Sequence, residues 1–243
     1  MPALIRNITP NKISGLNVWL KPESLSGYTN GANLTSWVDS SGNGYNFVNG
    51  AGYPTVVTNF ISGSQGISYN VGSFSHTSFT YMQCSTSVAG NFYNNFTVFS
   101  VTYQTSPTSQ PSVFLDKGGN NYKVNGWYID TGSLILNNSS AVSVAVSSPQ
   151  YTYNFINNWK VQSWIVQTNG SIQGWMNGVA NNTSSSAFTA TSNISDLSLG
   201  AYSPTQANVN FGGYIAEIII YNTALTTIQR QDIENYLRFK FQI

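Results

Sequence analysis

Charge is what this chain has least of. Only 7% of its 243 residues are Asp, Glu, Lys or Arg, against roughly 25% in an ordinary soluble domain. A formal net charge of +1 leaves no basic stripe to hold a phosphate backbone or an anionic membrane surface, so nucleic acid is not expected as a partner. Cys84 is the only cysteine. That excludes an intrachain disulfide, and the residue reads as a small buried hydrophobe. His76 is the only histidine, which removes His-based metal sites and a catalytic triad beside Cys84; it reads as a polar loop residue. No apolar run is long enough to cross a membrane, so membrane insertion is not expected. The opening MPALIRNITP is interrupted by Pro2, Arg6, Asn7 and Pro10, too often for the apolar core of a signal peptide. Neither a Gly-x-Ser-x-Gly elbow nor a phosphate-binding Gly-rich loop with Lys occurs.

With so little charge, the polar surface must come from Ser, Thr, Asn, Gln and Gly. Aromatics make up 14% of the chain, too many for a disordered one. A chain of this size buries roughly 70–75% of its unfolded surface and holds a core without staples.

Short runs of β-type residues recur between turn signals. Leu16–Leu20 alternates with period two, and Phe96–Tyr103 is dense in β-branched and aromatic residues, as strands are. Ser112–Leu115, Gly126–Ile129 and Ser133–Leu136 are further strands, separated by turns at 116–121 and 130–132. Val161–Val166 and Ser171–Met176 flank Asn169-Gly170, and a second Asn-Gly stands at 177–178; this dipeptide suits the positive φ angles of a type I′ hairpin turn. Phe211–Tyr221 is the most hydrophobic run and is expected to be a central strand buried on both faces. One helix, 226–238, is expected at the end. Thr226 and Gln229 fit a capping box, and Leu225, Ile228, Ile233, Tyr236 and Leu237 form its apolar face. Arg230 and Glu234 are spaced i,i+4 on another face and read as a solvated pair. Many strands and one helix imply an all-β fold, a two-sheet antiparallel sandwich with a C-terminal helix. The pattern begins near Ile13, so residues 13–243 read as one domain and Met1–Lys12 as an N-terminal arm.

Particular stretches carry a resemblance. Gly15-Leu-Asn-Val-Trp-Leu20, then Leu34-Thr-Ser-Trp-Val-Asp-Ser-Ser-Gly-Asn-Gly44, resemble the opening of concanavalin A-like (laminin-G/pentraxin-like) jelly-roll domains. Phe114-Leu-Asp-Lys-Gly118, Trp159 and Trp175-Met-Asn-Gly178 continue it, and Gly213–Thr226 resembles the family's closing strand and helix start. The resemblance spans about residues 13–240. It implies a jelly roll of two curved antiparallel sheets, but not one function, because that scaffold serves lectins, glycosidases, adhesion modules and viral surface proteins. Glucanases of this fold carry Glu-x-Asp-x-x-Glu on one strand. This chain has no such motif, and the close pair Asp232 and Glu234 points in different directions on a helix. A non-enzymatic chain is therefore expected.

Two acids are candidate metal ligands. Asp39, in Trp37-Val-Asp-Ser-Ser-Gly-Asn-Gly44, has the chemistry of an Asx-turn whose carboxylate takes nearby backbone N–H groups. The resemblance adds calcium near this loop as the alternative, with Asp39 and Glu217 as the available carboxylates; a hard cation needs six to eight oxygens, so calcium is treated as optional. Glu217 lies in the hydrophobic closing strand, on one face with Ile215 and Ile219, and is expected to form a buried salt bridge, to Arg230 or Arg238. For a glycan the requirements are exposed aromatic faces beside neutral hydrogen-bonding groups; Trp175, Tyr128 and Asp130 are the candidates. The fold, the uncharged surface and the missing leader together point to a multicopy protein of a virion surface, as in capsid decoration or a tail fibre of a tailed phage. Its arm would dock on other virion proteins and its partners would be cell-surface glycans. A carbohydrate-active enzyme and a cellular carbohydrate-binding protein are the rival readings.

Overall fold

The computed structural model describes residues 8–63, 68–75, 80–84, 95–105, 114–117, 122–128, 133–137, 143–147, 157–168, 171–180, 197–200 and 211–243. Among the described residues the chain forms two eight-stranded sheets and one α-helix. Strands are numbered in chain order. Sheet A runs β14 (Val179–Ala180), β13 (Ile172–Met176), β12 (Trp159–Val166), β7 (Phe96–Gln104), β16 (Gly213–Tyr221), β5 (Ser68–Phe74), β4 (Thr55–Ser62), with β1 (Leu16–Leu20) also paired to β16. Sheet B runs β11 (Ser143–Ser147), β10 (Ser133–Asn137), β9 (Tyr122–Tyr128), β8 (Phe114–Lys117), β15 (Leu197–Leu199), β6 (Tyr81–Cys84), β3 (Phe47–Ala51), β2 (Ser36–Trp37). Every pairing is antiparallel. The protein is a β-sandwich with a C-terminal helix.

The closing strand is central, as its composition requires. β16 pairs with β7 along one side and with β5 and then β1 along the other, and it is buried along nearly its whole length. Its two faces feed two cores. Ile215, Ile218 and Ile220 pack between the sheets with Trp37, Phe47, Met82, Cys84 and Trp164. Ala216, Ile219 and Tyr221 pack on the other side with Ile233, Leu237 and Phe241 of α1 (Thr227–Phe241). The order of layers is therefore sheet B, sheet A, helix. A bulge breaks the alternation: the register slips between Ile215 and Glu217. Ala216 is the extra residue, so Glu217 shares a face with Ile219, while Ile215 points the other way. The expected common face of Ile215 and Glu217 is corrected by this insertion.

The Asn177-Gly178 turn has φ angles of 49° and 82° and joins Met176 to Val179, the two-residue type I′ geometry. The expected turn at 116–121 starts later, because Asp116 and Lys117 still belong to β8; residues 118–121, Asn169-Gly170, the turn at 130–132 and His76 lie outside the described residues.

The capping box of α1 is formed: Gln229 N–H donates to Thr226 Oγ1 at 3.3 Å and Thr226 N–H donates to Gln229 Oε1 at 3.0 Å. The helix face differs from the expected one. Ile228 is exposed, whereas Arg230, Ile233, Glu234, Leu237, Lys240 and Phe241 are buried. The Arg230–Glu234 pair is not solvated; its side chains are 4% and 5% exposed. Sheet A supplies the polar partners that make this burial tolerable.

Of the N-terminal arm, Met1–Asn7 lie outside the described residues. Ile8 packs against the helix-side core, Pro10–Lys12 form a 3-10 turn, and the Tyr221 hydroxyl donates to the Pro10 carbonyl at 2.9 Å. The ordered unit thus extends upstream of Ile13 to at least Ile8.

Candidate functional site

Asp39 is a turn residue. Its Oδ1 accepts from the N–H groups of Trp19 and Ser41, both at 2.9 Å, and its Oδ2 from the Ser41 hydroxyl at 2.6 Å and the Tyr45 N–H at 3.1 Å. A carboxylate offers about four lone-pair positions, and four donors of the chain fill them. Gly42 and Gly44 take φ of 94° and 75° and bring the Tyr45 amide round to the carboxylate. This donor set does not fit a hard divalent cation, which needs those oxygens unspent.

Glu217 is fully buried. Lys240 Nζ lies 2.7 Å from its Oε2, and the Trp19 indole N–H and the Tyr236 hydroxyl donate to its Oε1 at 2.7 and 3.2 Å. Lys240 also reaches Glu23 at 2.9 Å. The expected salt bridge is present, but its cation is Lys240, because the bulge turns Glu217 under the last turn of α1. Burial pushes the carboxyl above the ordinary glutamate value, and Lys240 and the Trp19 indole pull it partly back. Arg230 is engaged elsewhere: it pairs with Glu234 at 2.5 Å, and Glu234 also accepts from the Ser163 hydroxyl. The helix therefore crosses sheet A from β13, where the Arg230 guanidinium lies 4.1 Å from the Trp175 ring centroid, to β16 and β1.

Trp175 faces the helix side of sheet A, with Met176 turned inward. The residue is only 9% exposed, with the Arg230 guanidinium over its ring, and it lines a cavity of about 470 Å³ at the start of α1. It is not the exposed aromatic face expected of a glycan candidate. Tyr128 is on β9 of sheet B, opposite Ser133, so it does not share a sheet with Trp175. Asp130 lies outside the described residues.

A partly exposed aromatic cluster stands elsewhere on the same face of sheet A. Tyr103 of β7 is directly opposite both Trp159 of β12 and Tyr214 of β16, which places three rings in one cross-strand row. Ring centroids are 5.5 Å apart for Tyr103–Trp159 and 5.8 Å for Tyr103–Tyr214. Phe60 lies across this row rather than at its end: its ring centroid is 4.1 Å from Tyr214 and 6.1 Å from both Tyr103 and Trp159. It reaches over from β4 through an irregularity between Val57 and Ile61, where Asn59 takes φ 53°. Trp159, Tyr103 and Tyr214 are half-buried and Phe60 is 38% exposed. Asn157, two residues before Trp159, is exposed. The cluster combines apolar ring faces and edges, tilted 39° to 83° to one another, with two tyrosine hydroxyls, and carries no ionised group among its four members. Sequence reading passed over it because the rings come from positions 60, 103, 159 and 214, and only strand register unites them.

No protein-family model matches the chain, and no curated protein sequence matches it. Solved structures do. The chain is similar to domain 4 of AbnA, a GH43 extracellular arabinanase from Geobacillus stearothermophilus, in complex with arabinotriose, at 18% identity and a TM-score of 0.56, covering 91% of this chain and 96% of that one. It is also similar to the receptor binding domain of botulinum neurotoxin D (12% identity, TM-score 0.61, 93% of this chain and 53% of that one). The binding domain of botulinum neurotoxin DC in complex with SialylT is a third (12% identity, TM-score 0.57, 95% and 52%). The chain spans about half the length of the neurotoxin domains. At this level of identity the likeness is one of fold: a β-sandwich of the kind found in these binding domains.

Proposed function

We propose that this chain is a non-enzymatic glycan-binding module of the concanavalin A-like jelly-roll type, displayed in many copies on a virion surface, with the row Trp159–Tyr103–Tyr214 and the Phe60 ring lying across it as its sugar-binding surface. The observation that carries the reading is that row. One face of a sugar ring is lined by C–H groups and covers an aromatic face, while its hydroxyls need neutral partners such as the two tyrosine hydroxyls. The arabinotriose and SialylT complexes of two proteins with this fold support the same class of ligand. The acids support a binding rather than a hydrolytic role. A glycosidase needs two carboxylates facing one bond, whereas Glu217 and Glu234 are each buried beneath the helix and each held by a cation.

Glycan-array screening followed by calorimetry tests this. Trp159→Ala and Tyr103→Ala are expected to weaken binding roughly 30-fold, the usual effect of truncating an aromatic anchor, with the fold kept by circular dichroism and the melting temperature lowered, since both rings are half-buried. A wild-type chain that binds no glycan, or row variants that bind normally, would end the reading.

A further inference from the structure

Beyond α1, at the other end of the same sheet face, lies a trough whose chemistry differs from that of the row. Its floor is apolar: Ile165 of β12, Trp175 and Leu225. A neighbouring cavity of about 460 Å³ shares Gln167, Leu225 and Thr226 with it and adds Asn95 and Thr168, so the two form one trough. Among the described residues, none that lines either part is an acid or a base.

The rim holds neutral groups with hydrogen bonds still to make. Gln167 Oε1 accepts from the Ser171 hydroxyl at 3.0 Å and Asn95 Oδ1 from the Ala224 N–H at 2.9 Å, which orients both amides and leaves their NH₂ groups as donors. The side chains of Gln173 and Thr227 make no hydrogen bond among the described residues. Arg230, which lies over the Trp175 ring, has its charge already met by Glu234. A charged ligand would find no counter-ion among the described residues of this lining. An alternation of C–H faces and hydroxyls would be matched along its length.

We infer that this trough is a second carbohydrate subsite, one that takes a neutral oligosaccharide chain; the inference rests on the glycan-binding reading and extends it to a site that does not include the row. Trp159 and Ile165 lie six residues apart on β12, about 20 Å along the strand, with α1 crossing between them. One short oligosaccharide cannot lie flat across both, so the two sites bind separately.

The two sites can be told apart by ¹⁹F NMR of chain labelled with 5-fluorotryptophan, with the Trp159 and Trp175 signals identified by Trp→Phe substitution. The probes are arabinotriose, xylotriose, maltotriose and mannotriose, with a sialylated trisaccharide as the acidic control. In Trp159→Ala, where the row is disabled, at least one neutral trisaccharide is expected to shift the Trp175 signal. Gln173→Ala should weaken that response about tenfold, and Thr227→Glu, which puts a carboxylate in the trough at a helix start that tolerates it, should abolish it. If sugars shift only Trp159, the trough inference fails and the glycan reading stands. A response confined to the sialylated probe overturns the neutral ligand, and silence of both signals removes both proposals.

Discussion

Taking away the Lys240 ammonium would leave Glu217 inside a helix–sheet interface with only the Trp19 indole and the Tyr236 hydroxyl as donors. Burial already holds the Glu217 carboxyl above its ordinary value in the intact protein. The folded state therefore binds this proton more tightly than the unfolded chain does, and the residue's contribution to stability declines as pH rises through that interval. Without the cation the carboxyl moves further up and the interval widens. Lys240→Met is expected to cost about 3–5 kcal/mol at neutral pH, the usual result of stranding one member of a buried pair. Much of that returns on acidification, where Glu217 goes in neutral. Urea unfolding at about pH 7.5 and about pH 5 measures this, with Glu217→Gln/Lys240→Met as the control that loses the pH dependence. A loss equal at both pH values would assign the effect to packing of the lysine stem instead. The opposite case is Asp39, whose role as an Asx-turn was legible from Asp-Ser-Ser-Gly-Asn-Gly because every donor is within a few residues or on the adjoining strand. The partner of Glu217 was not legible, since one inserted residue, Ala216, decides which face the carboxylate takes.

At the scale of elements, α1 begins at a cap that the sequence spells out and ends on a face that it disguises. Thr226→Ala removes the hydroxyl that accepts from the Gln229 N–H and is expected to cost about 1 kcal/mol, read as a lower urea midpoint at unchanged slope. A midpoint equal to that of the wild type would mean that packing alone fixes the helix start. The buried stripe Arg230, Ile233, Glu234, Leu237, Lys240 and Phe241 has ordinary helical spacing, yet three of its members are charged. Period alone favours the apolar residues and sends Ile228 inward; what overrides it is Ser163 and Trp175 on sheet A, waiting for Glu234 and Arg230. The scarcity of charge was the available clue. With only nine Lys and Arg and eight Asp and Glu in the chain, charged residues gathered on one helix and its underlying strand are candidates for specific pairing. Strands were easier to read, because alternation and Asn-Gly turns are local; Leu16–Leu20 has the expected bounds and β7 runs one residue further. The aromatic row was hidden for the converse reason, that it depends on pairing between β7, β12 and β16 and on the backbone irregularity that carries Phe60.

The whole molecule is still less charged on its surface than its composition implies, since Asp39, Glu217, Arg230, Glu234 and Lys240 are buried. Identical copies with so little surface charge repel one another weakly and can be packed densely. Dense display is also what a weak site needs: a single site binding near the millimolar level, about −4 kcal/mol, becomes effective when many copies engage one surface, with gains of roughly 10²–10⁴. The proposed tether for such display is Met1–Asn7, where Ala3, Leu4 and Ile5 offer an apolar contact too small to make a core. Residues Ile8–Lys12 belong to the folded unit, held by packing of Ile8 and by the Tyr221–Pro10 hydrogen bond. Deletion of residues 1–7 should therefore leave the melting temperature and the affinity for a free oligosaccharide unchanged. The same deletion should abolish incorporation into particles and weaken retention on a glycan-coated surface by at least about 100-fold. Calorimetry, particle pull-down and surface retention of the two chains measure these separately. A full-length chain that stays monomeric without a partner, or a shortened one that is retained and incorporated as well as the full-length chain, would remove the tether and leave a soluble monomeric binder.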